Sequence, residues 1–251
     1  MSNTKVYKNF KNFSKVSLEE DTAPEHIFLP VYEASSVSRC LKAYIDEEVR
    51  EPKYYRNLIH AIGTLGEGDM LHLSIDTYGG SLDGCMAIIT AMQRASSEGV
   101  VTHASIDGTA ASAGSLLALA ADSIEVGPHA TMMVHQSSFS SGGKQSDVMS
   151  HVVFVDQRVK KIAEEIYQDF LTEKELEEIF TGKEVWFSQE EIIARLERRA
   201  EMQEKRHKKM LQEVKKQQKE AMKSYKGLAS QGSASKGTKN KIQETEESPE
   251  E

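Results

Sequence analysis

Cysteine is nearly absent from this 251-residue chain: Cys40 and Cys85 are the only two, and neither belongs to a CxxC pair. Two isolated thiols exclude a disulfide framework and a cysteine-built metal site, so the expected setting is reducing and cytoplasmic. A long apolar run is missing as well. The best candidate, Leu116 to Ala121, is too short and too rich in alanine to span a bilayer, so no membrane partner is expected. The first ten residues lack the apolar core of a signal peptide. A basic excess is also missing: 31 Lys and Arg against 39 Asp and Glu leave a formal charge of -8, which argues against a dedicated nucleic-acid binder. What remains is a soluble chain with room for one sizeable domain and appendages.

What is present alternates between strand-like and helix-like segments. Residues 1–25 are polar and read as a flexible arm. His26 to Tyr32 reads as a first strand. From Ser36 to Ile62, Val37, Leu41, Tyr44 and Ile45, then Leu58, Ile59 and Ile62, fit a helical pattern broken at Pro52. After a glycine-rich loop, a buried strand over 69–75 ends at Asp76-Thr-Tyr-Gly79-Gly80-Ser81, and a helix follows over 82–96. The pattern then repeats, with a strand over 100–106, a small-residue turn at 108–112 and a helix over 113–121. Two short strands, 123–126 and 131–134, lead to a long helix from about 147 to 170. Such alternation with short links implies a mostly parallel, helix-covered sheet.

Capping boxes start two further helices, at Thr172-Glu-Lys-Glu175 and Ser188-Gln-Glu-Glu191. Between Glu164 and Glu191, ten acids face two lysines, a solvated acidic face. Arg195 to Lys226 reverses this, with twelve Lys or Arg against five Glu, and reads as a partly exposed basic helix. Residues 227–251 are linker-like and then acidic, and are expected to be disordered. The expected domains are thus an arm over 1–25, a sheet-and-helix domain over 26–194, a basic helical extension over 195–226 and a tail over 227–251.

Three features fall at the carboxyl ends of three of these strands, where sites collect in parallel sheets. They are the glycine pair Gly79-Gly80, Ser112, and His135. A glycine pair admits close backbone approach and leaves N–H groups free. A serine at a helix N-terminus beside a histidine has the parts of nucleophilic catalysis. Each has a plainer reading too: a tight turn, a helix-packing serine, a strand-end histidine.

Taken together the motifs resemble those of the Clp protease proteolytic subunit family, which includes head-maturation proteases of tailed bacteriophages. Gly79-Gly80-Ser81 resembles its Pro-Gly-Gly-Ser segment. Gly108-Thr-Ala-Ala-Ser-Ala-Gly114 resembles its serine motif, Met132-Met-Val-His-Gln136 its histidine motif, and Trp186-Phe-Ser-Gln-Glu-Glu191 its closing segment. The resemblance covers residues 26 to 193. It implies an α/β crotonase-like superhelix, a serine endopeptidase acting on polypeptides, a homo-oligomeric ring, and neither metal nor cofactor. It makes Ser112 the nucleophile and His135 the base, with oxyanion N–H groups on Gly80 and Ala113. It also implies either a AAA+ unfoldase as feeder or, in a phage-type member working in host cytoplasm, capsid and scaffold proteins as substrates.

The chain departs from the family pattern at four points, one being the basic tail after Arg195 in place of the family's short closing strand. Tyr78 stands where the family has proline, and the serine-to-histidine spacing is shorter than in the housekeeping subunit. Phe180 or Thr181 falls at the third triad position, leaving Glu178, Glu184 and Asp169 as candidate acids. Acyl-CoA chemistry on the same fold and a catalytically inactive assembly protein are the alternatives.

Overall fold

The computed structural model describes residues 6–8 and 38–234. The chain divides into two units, Met1–Glu204 and Lys205–Glu251. The first holds seven strands among the described residues: β1 (Val6–Lys8), β2 (Cys40–Ile45), β3 (Met70–Thr77), β4 (Val101–Ala111), β5 (Ser123–Val126), β6 (Thr131–Val134) and β7 (Val185–Phe187). Helices α1 (Arg56–Ile62), α2 (Leu82–Ser97), α3 (Ala113–Ala120), α4 (Gln145–Ile166) and α5 (Glu173–Phe180) accompany them. A last helix, α6 (Gln189–Ala234), begins in the first unit, and its later turns make up the described part of the second.

The sheet runs β1-β5-β4-β3-β2, with β2, β3, β4 and β5 mutually parallel and β1 antiparallel at the edge. Its core rows are Ile45, Leu71, Leu73, Ile75, Ala104 and Ile106, each at most 4% exposed. Helix α2 covers them with Cys85, Ile88, Ile89 and Met92, which recur at helical spacing on one buried stripe. The stripe starts on cue because the Ser81 hydroxyl accepts the Gly84 N–H at 3.2 Å, an N-cap. Burial pushes the Cys85 thiol up to about 12, so it packs as an apolar side chain.

β4 positions the site. Its first half pairs with β5 (His103 to Ile106), and its second half leaves β5 and pairs in parallel with β6 (Thr109 to Ala111 against Thr131 to Met133). The expected turn over 108–112 is therefore strand as far as Ala111, with the change of direction concentrated at Ser112. Backbone pairing along β6 satisfies those small residues' polar groups, as burial requires. The expected helix from Ser36 is likewise corrected. Residues 40–45 are strand β2, and only Pro52–Tyr55 (a 3-10 turn) and α1 are helical. Val37, Leu41 and Ile45 recur every four residues, which suits a strand's period of two as well as a helix.

The strand expected over 26–32 lies outside the described residues. Within the expected arm, Val6–Lys8 pairs with β5. Helix α6 continues past the expected boundary at 227 to Ala234, and 235–251 lie outside the described residues.

The start of α6 is not the solvated face its charge implied. Arg199 is 1% exposed, and its Nη2 donates to the Leu119 and Ile166 carbonyls at 3.2 and 3.0 Å, near the C-terminal ends of α3 and α4. A cation there meets the negative ends of two helix dipoles. Arg195 lies over the Phe187 ring, 4.3 Å from its centroid, and pairs with Glu175 at 2.6 Å.

Glu175 also closes the capping box of α5, accepting the Thr172 N–H at 2.8 Å. The Arg195 guanidinium, helped by the Thr172 donors, holds its carboxyl well below the usual range, at about 2. A depressed folded pKa stabilises the fold above the unfolded value near 4.5, and that contribution is lost as pH falls towards 2. Glu175→Gln should therefore cost about 1 kcal/mol at neutral pH and flatten the acid limb of denaturant titrations between pH 5 and 2. An unchanged acid limb would remove Glu175 from that account.

Candidate active site

Parallel pairing brings the serine and the histidine together. Ala111 pairs with Met133, and the Ser112 N–H donates to the Met133 carbonyl at 2.9 Å, so both strands end side by side. Ser112 Oγ and His135 Nε2 then lie 2.9 Å apart. An imidazole protonated on Nδ1 can accept the serine proton through that contact. Ser112 adopts φ 53°, ψ -117°, a region L-residues avoid at a cost of about 1–3 kcal/mol. The turn lifts the side chain off the strand and starts α3 at the next residue.

The glycine pair is packed against this turn. Gly79 has φ 102°, and a Cβ there would lie 2.7 Å from both the Ala111 carbonyl and Ser112 Cβ. Thr77, at the end of β3, ties it down: its hydroxyl donates to the Glu47 carbonyl at 2.6 Å and accepts the Gly79 N–H at 3.1 Å. Val49 flanks Gly80, donating to Gly79 O at 2.7 Å and accepting from Ser81 N–H at 2.6 Å. That bridge uses the neighbours of Gly80 and spares its own N–H. Among the described residues, neither the Gly80 nor the Ala113 N–H donates to a protein acceptor. Both residues border the pocket that Ser112 and His135 open into. Two such donors beside a serine hydroxyl suit an oxygen gaining negative charge.

The rest of the wall is mostly apolar, with Leu82 from α2, Leu116 from α3, Val159 and Ile162 from α4, Tyr167, and Ile179 with Phe180 from α5, while Gln136 and Ser137 add polar groups beside His135. Phe180, one of the two residues at which the resemblance places the third triad position, borders the pocket, and Thr181, the other, does not. None of the three candidate acids hydrogen-bonds to His135. Glu178 pairs with Lys183, and that contact holds its carboxyl below the usual range. Glu184 accepts the Trp186 indole N–H at 2.6 Å, and the Asp169 carbonyl accepts from Arg198 at 3.1 Å. Among the described residues the His135 ring has one hydrogen bond, to Ser112. No group of three His, Cys, Asp or Glu side chains among them is placed to hold a metal.

Sequence reasoning singled out Ser112, His135, Gly80 and Ala113, and the structure places all four on one pocket. It passed over Thr77, Ser115 and Tyr167. Ser115, three residues after Ser112 at a helix start, carries a local signal. Tyr167 carries none, because its partner is 52 residues away.

The central, mostly parallel sheet with accompanying helices fits the crotonase-like class of α/β protein. Residues 39–195 match the Clp protease family, and the chain belongs to it. Membership implies a peptidase; Clp proteases generally act on polypeptides in oligomeric rings. No curated protein matches the chain by sequence. Among the described residues no helix is long and apolar enough to cross a membrane.

Proposed function

We propose that the chain is a serine endopeptidase working through a Ser112–His135 dyad. The observation that carries this reading is the 2.9 Å contact between Ser112 Oγ and His135 Nε2 beside two undonated N–H groups. Ser112 Oγ attacks the peptide carbonyl as its proton passes to His135. The oxyanion is held by Gly80 and Ala113. His135 then protonates the leaving amine, and water, deprotonated by the same histidine, releases the acyl group. A fluorophosphonate probe should label the wild-type protein at Ser112 and leave Ser112→Ala unlabelled. Labelling elsewhere, or none, would sink the reading.

Assembly belongs to the same proposal. Helix α4 buries only Ala163 and Ile166, and exposes Met149, Val153 and Phe154 at 59%, 52% and 62%. Adjacent apolar side chains on one helix face call for a partner surface. A second copy of the chain fits a ring-forming protein, meeting this face with its own. Phe154→Asp should shift sedimentation towards smaller species with the far-ultraviolet dichroism unchanged. Wild-type sedimentation of that variant would remove α4 from the contact.

A further inference from the structure

The carbonyl of Ser112 is held more firmly than a helix start requires. It accepts the Ser115 N–H at 3.0 Å and, in addition, the Ser115 hydroxyl at 2.7 Å. The same hydroxyl lies 2.7 Å from the phenol oxygen of Tyr167, which follows the last residue of α4. Direction follows from counting protons. A carbonyl can only accept, so the single Ser115 proton goes to Ser112, and Tyr167 must donate to Ser115. Tyr167 is 5% exposed, and burial raises its pKa well above the ordinary phenol value, so the donor stays protonated. The relay reads Tyr167 O–H to Ser115 O–H to Ser112 C=O.

Its target is one end of a rigid unit. The Ser112 carbonyl and the Ala113 N–H belong to the same planar peptide, so fixing the oxygen aims the N–H on the opposite side. That N–H has no protein acceptor among the described residues and borders the pocket. The plane also follows a residue whose backbone is strained, at φ 53°, and which relaxes unless its surroundings hold it.

We propose that Tyr167 is a positioning residue: through Ser115 it locks the Ser112–Ala113 peptide plane so that the Ala113 N–H points at the developing oxyanion. This rests on the serine-peptidase reading above. It also makes the end of α4, the helix with the exposed apolar face, a support of the catalytic turn.

Tyr167→Phe removes the donor and keeps the ring. The test is the rate of fluorophosphonate labelling of the full chain. In that reaction the Ser112 Oγ–P bond forms, the P–F bond breaks, fluoride leaves, and the serine proton passes to His135. Deleting an oxyanion donor outright costs 100-fold or more in other enzymes, so a misaimed one should cost about tenfold in the maximal labelling rate. The half-saturating probe concentration should stay the same, because the ground state does not use the aim of that N–H. Ser115→Ala should give the same loss, and the double variant no more than either single, since both cut one relay. Ser115→Thr, which keeps a hydroxyl, should retain the rate.

A purely structural tyrosine predicts the reverse pattern: a lower melting temperature with the maximal rate of the folded protein held. A fall of about fivefold or more at unchanged half-saturation supports positioning, and a smaller one overturns it. If Tyr167→Phe does not fold, Ser115→Ala decides by the same criterion. If the wild-type chain is not labelled at Ser112, the peptidase reading fails first and the positioning role falls with it. If it is labelled and the variants react at its rate, only the positioning role fails.

Discussion

Replacing Ser112 with alanine should lower peptide hydrolysis by about 10²- to 10³-fold. That is far less than the roughly 10⁶-fold loss seen when the nucleophile of a complete triad is removed. The difference follows from what faces His135. No carboxylate among the described residues hydrogen-bonds to its ring, and neither Phe180 nor Thr181, the residues at the expected acid position, carries one. Losing the orienting acid costs other triads about 10⁴-fold, so much of the advantage is absent from the wild-type protein already. The measurement is kcat/KM on a fluorogenic peptide for both proteins at equal folded concentration. A loss near 10⁶-fold would show that a carboxylate reaches His135 in the working enzyme. No loss would remove Ser112 from the chemistry. Because Ser112 holds φ 53°, Ser112→Gly should also melt above Ser112→Ala, by about the strain that a missing Cβ relieves.

Gly79→Ala should damage both stability and rate, although it adds one methyl group. The residue has φ 102°, where alanine is strained, and the new Cβ would meet the Ala111 carbonyl and Ser112 Cβ at 2.7 Å. Neither neighbour is the free end of a flexible side chain, so backbone has to move. Strain with overpacking in a tight site costs about 2–4 kcal/mol. A displacement near 1 Å at the reacting serine costs about 100-fold in rate. Denaturant midpoints and fluorophosphonate labelling rates measure the two effects. Labelling at the wild-type rate would show that the glycine pair does not set the position of Ser112.

Much of this architecture is legible locally. Val100 to Ile106 and Asp69 to Ile75 are apolar runs of strand length, each followed by small residues and a helix-forming segment. The Thr172 and Ser188 capping boxes mark helix starts because side chain and backbone satisfy each other within four residues. Reading failed where one pattern serves two structures, or where a distant partner chooses. Residues 40–45 became strand because β3 offered a parallel edge with Ile45 against Ile75 and Leu41 against Leu71. The arginines opening α6 count as surface charge by composition. Yet Arg199 is buried against two helix-end carbonyls and Arg195 lies over Phe187, placements that depend on how α3, α4 and β7 pack.

The candidate site divides along the same line. Residue type and order along the chain select Ser112, His135 and the Gly79-Gly80 pair, because serine, histidine and glycine are the chemistry available at those strand ends, whereas Ala113 and the choice of Gly80 come from the family resemblance. Their meeting depends on β4 exchanging β5 for β6 halfway along its length, a pairing that local pattern does not encode. The failure of Glu178, Glu184 and Asp169 to reach His135, and the Tyr167–Ser115 relay under the serine turn, are likewise matters of tertiary packing. Local sequence controls backbone preference and side-chain chemistry over a few residues. Distances between groups 23 or 52 positions apart are set by which surfaces the folded chain buries together.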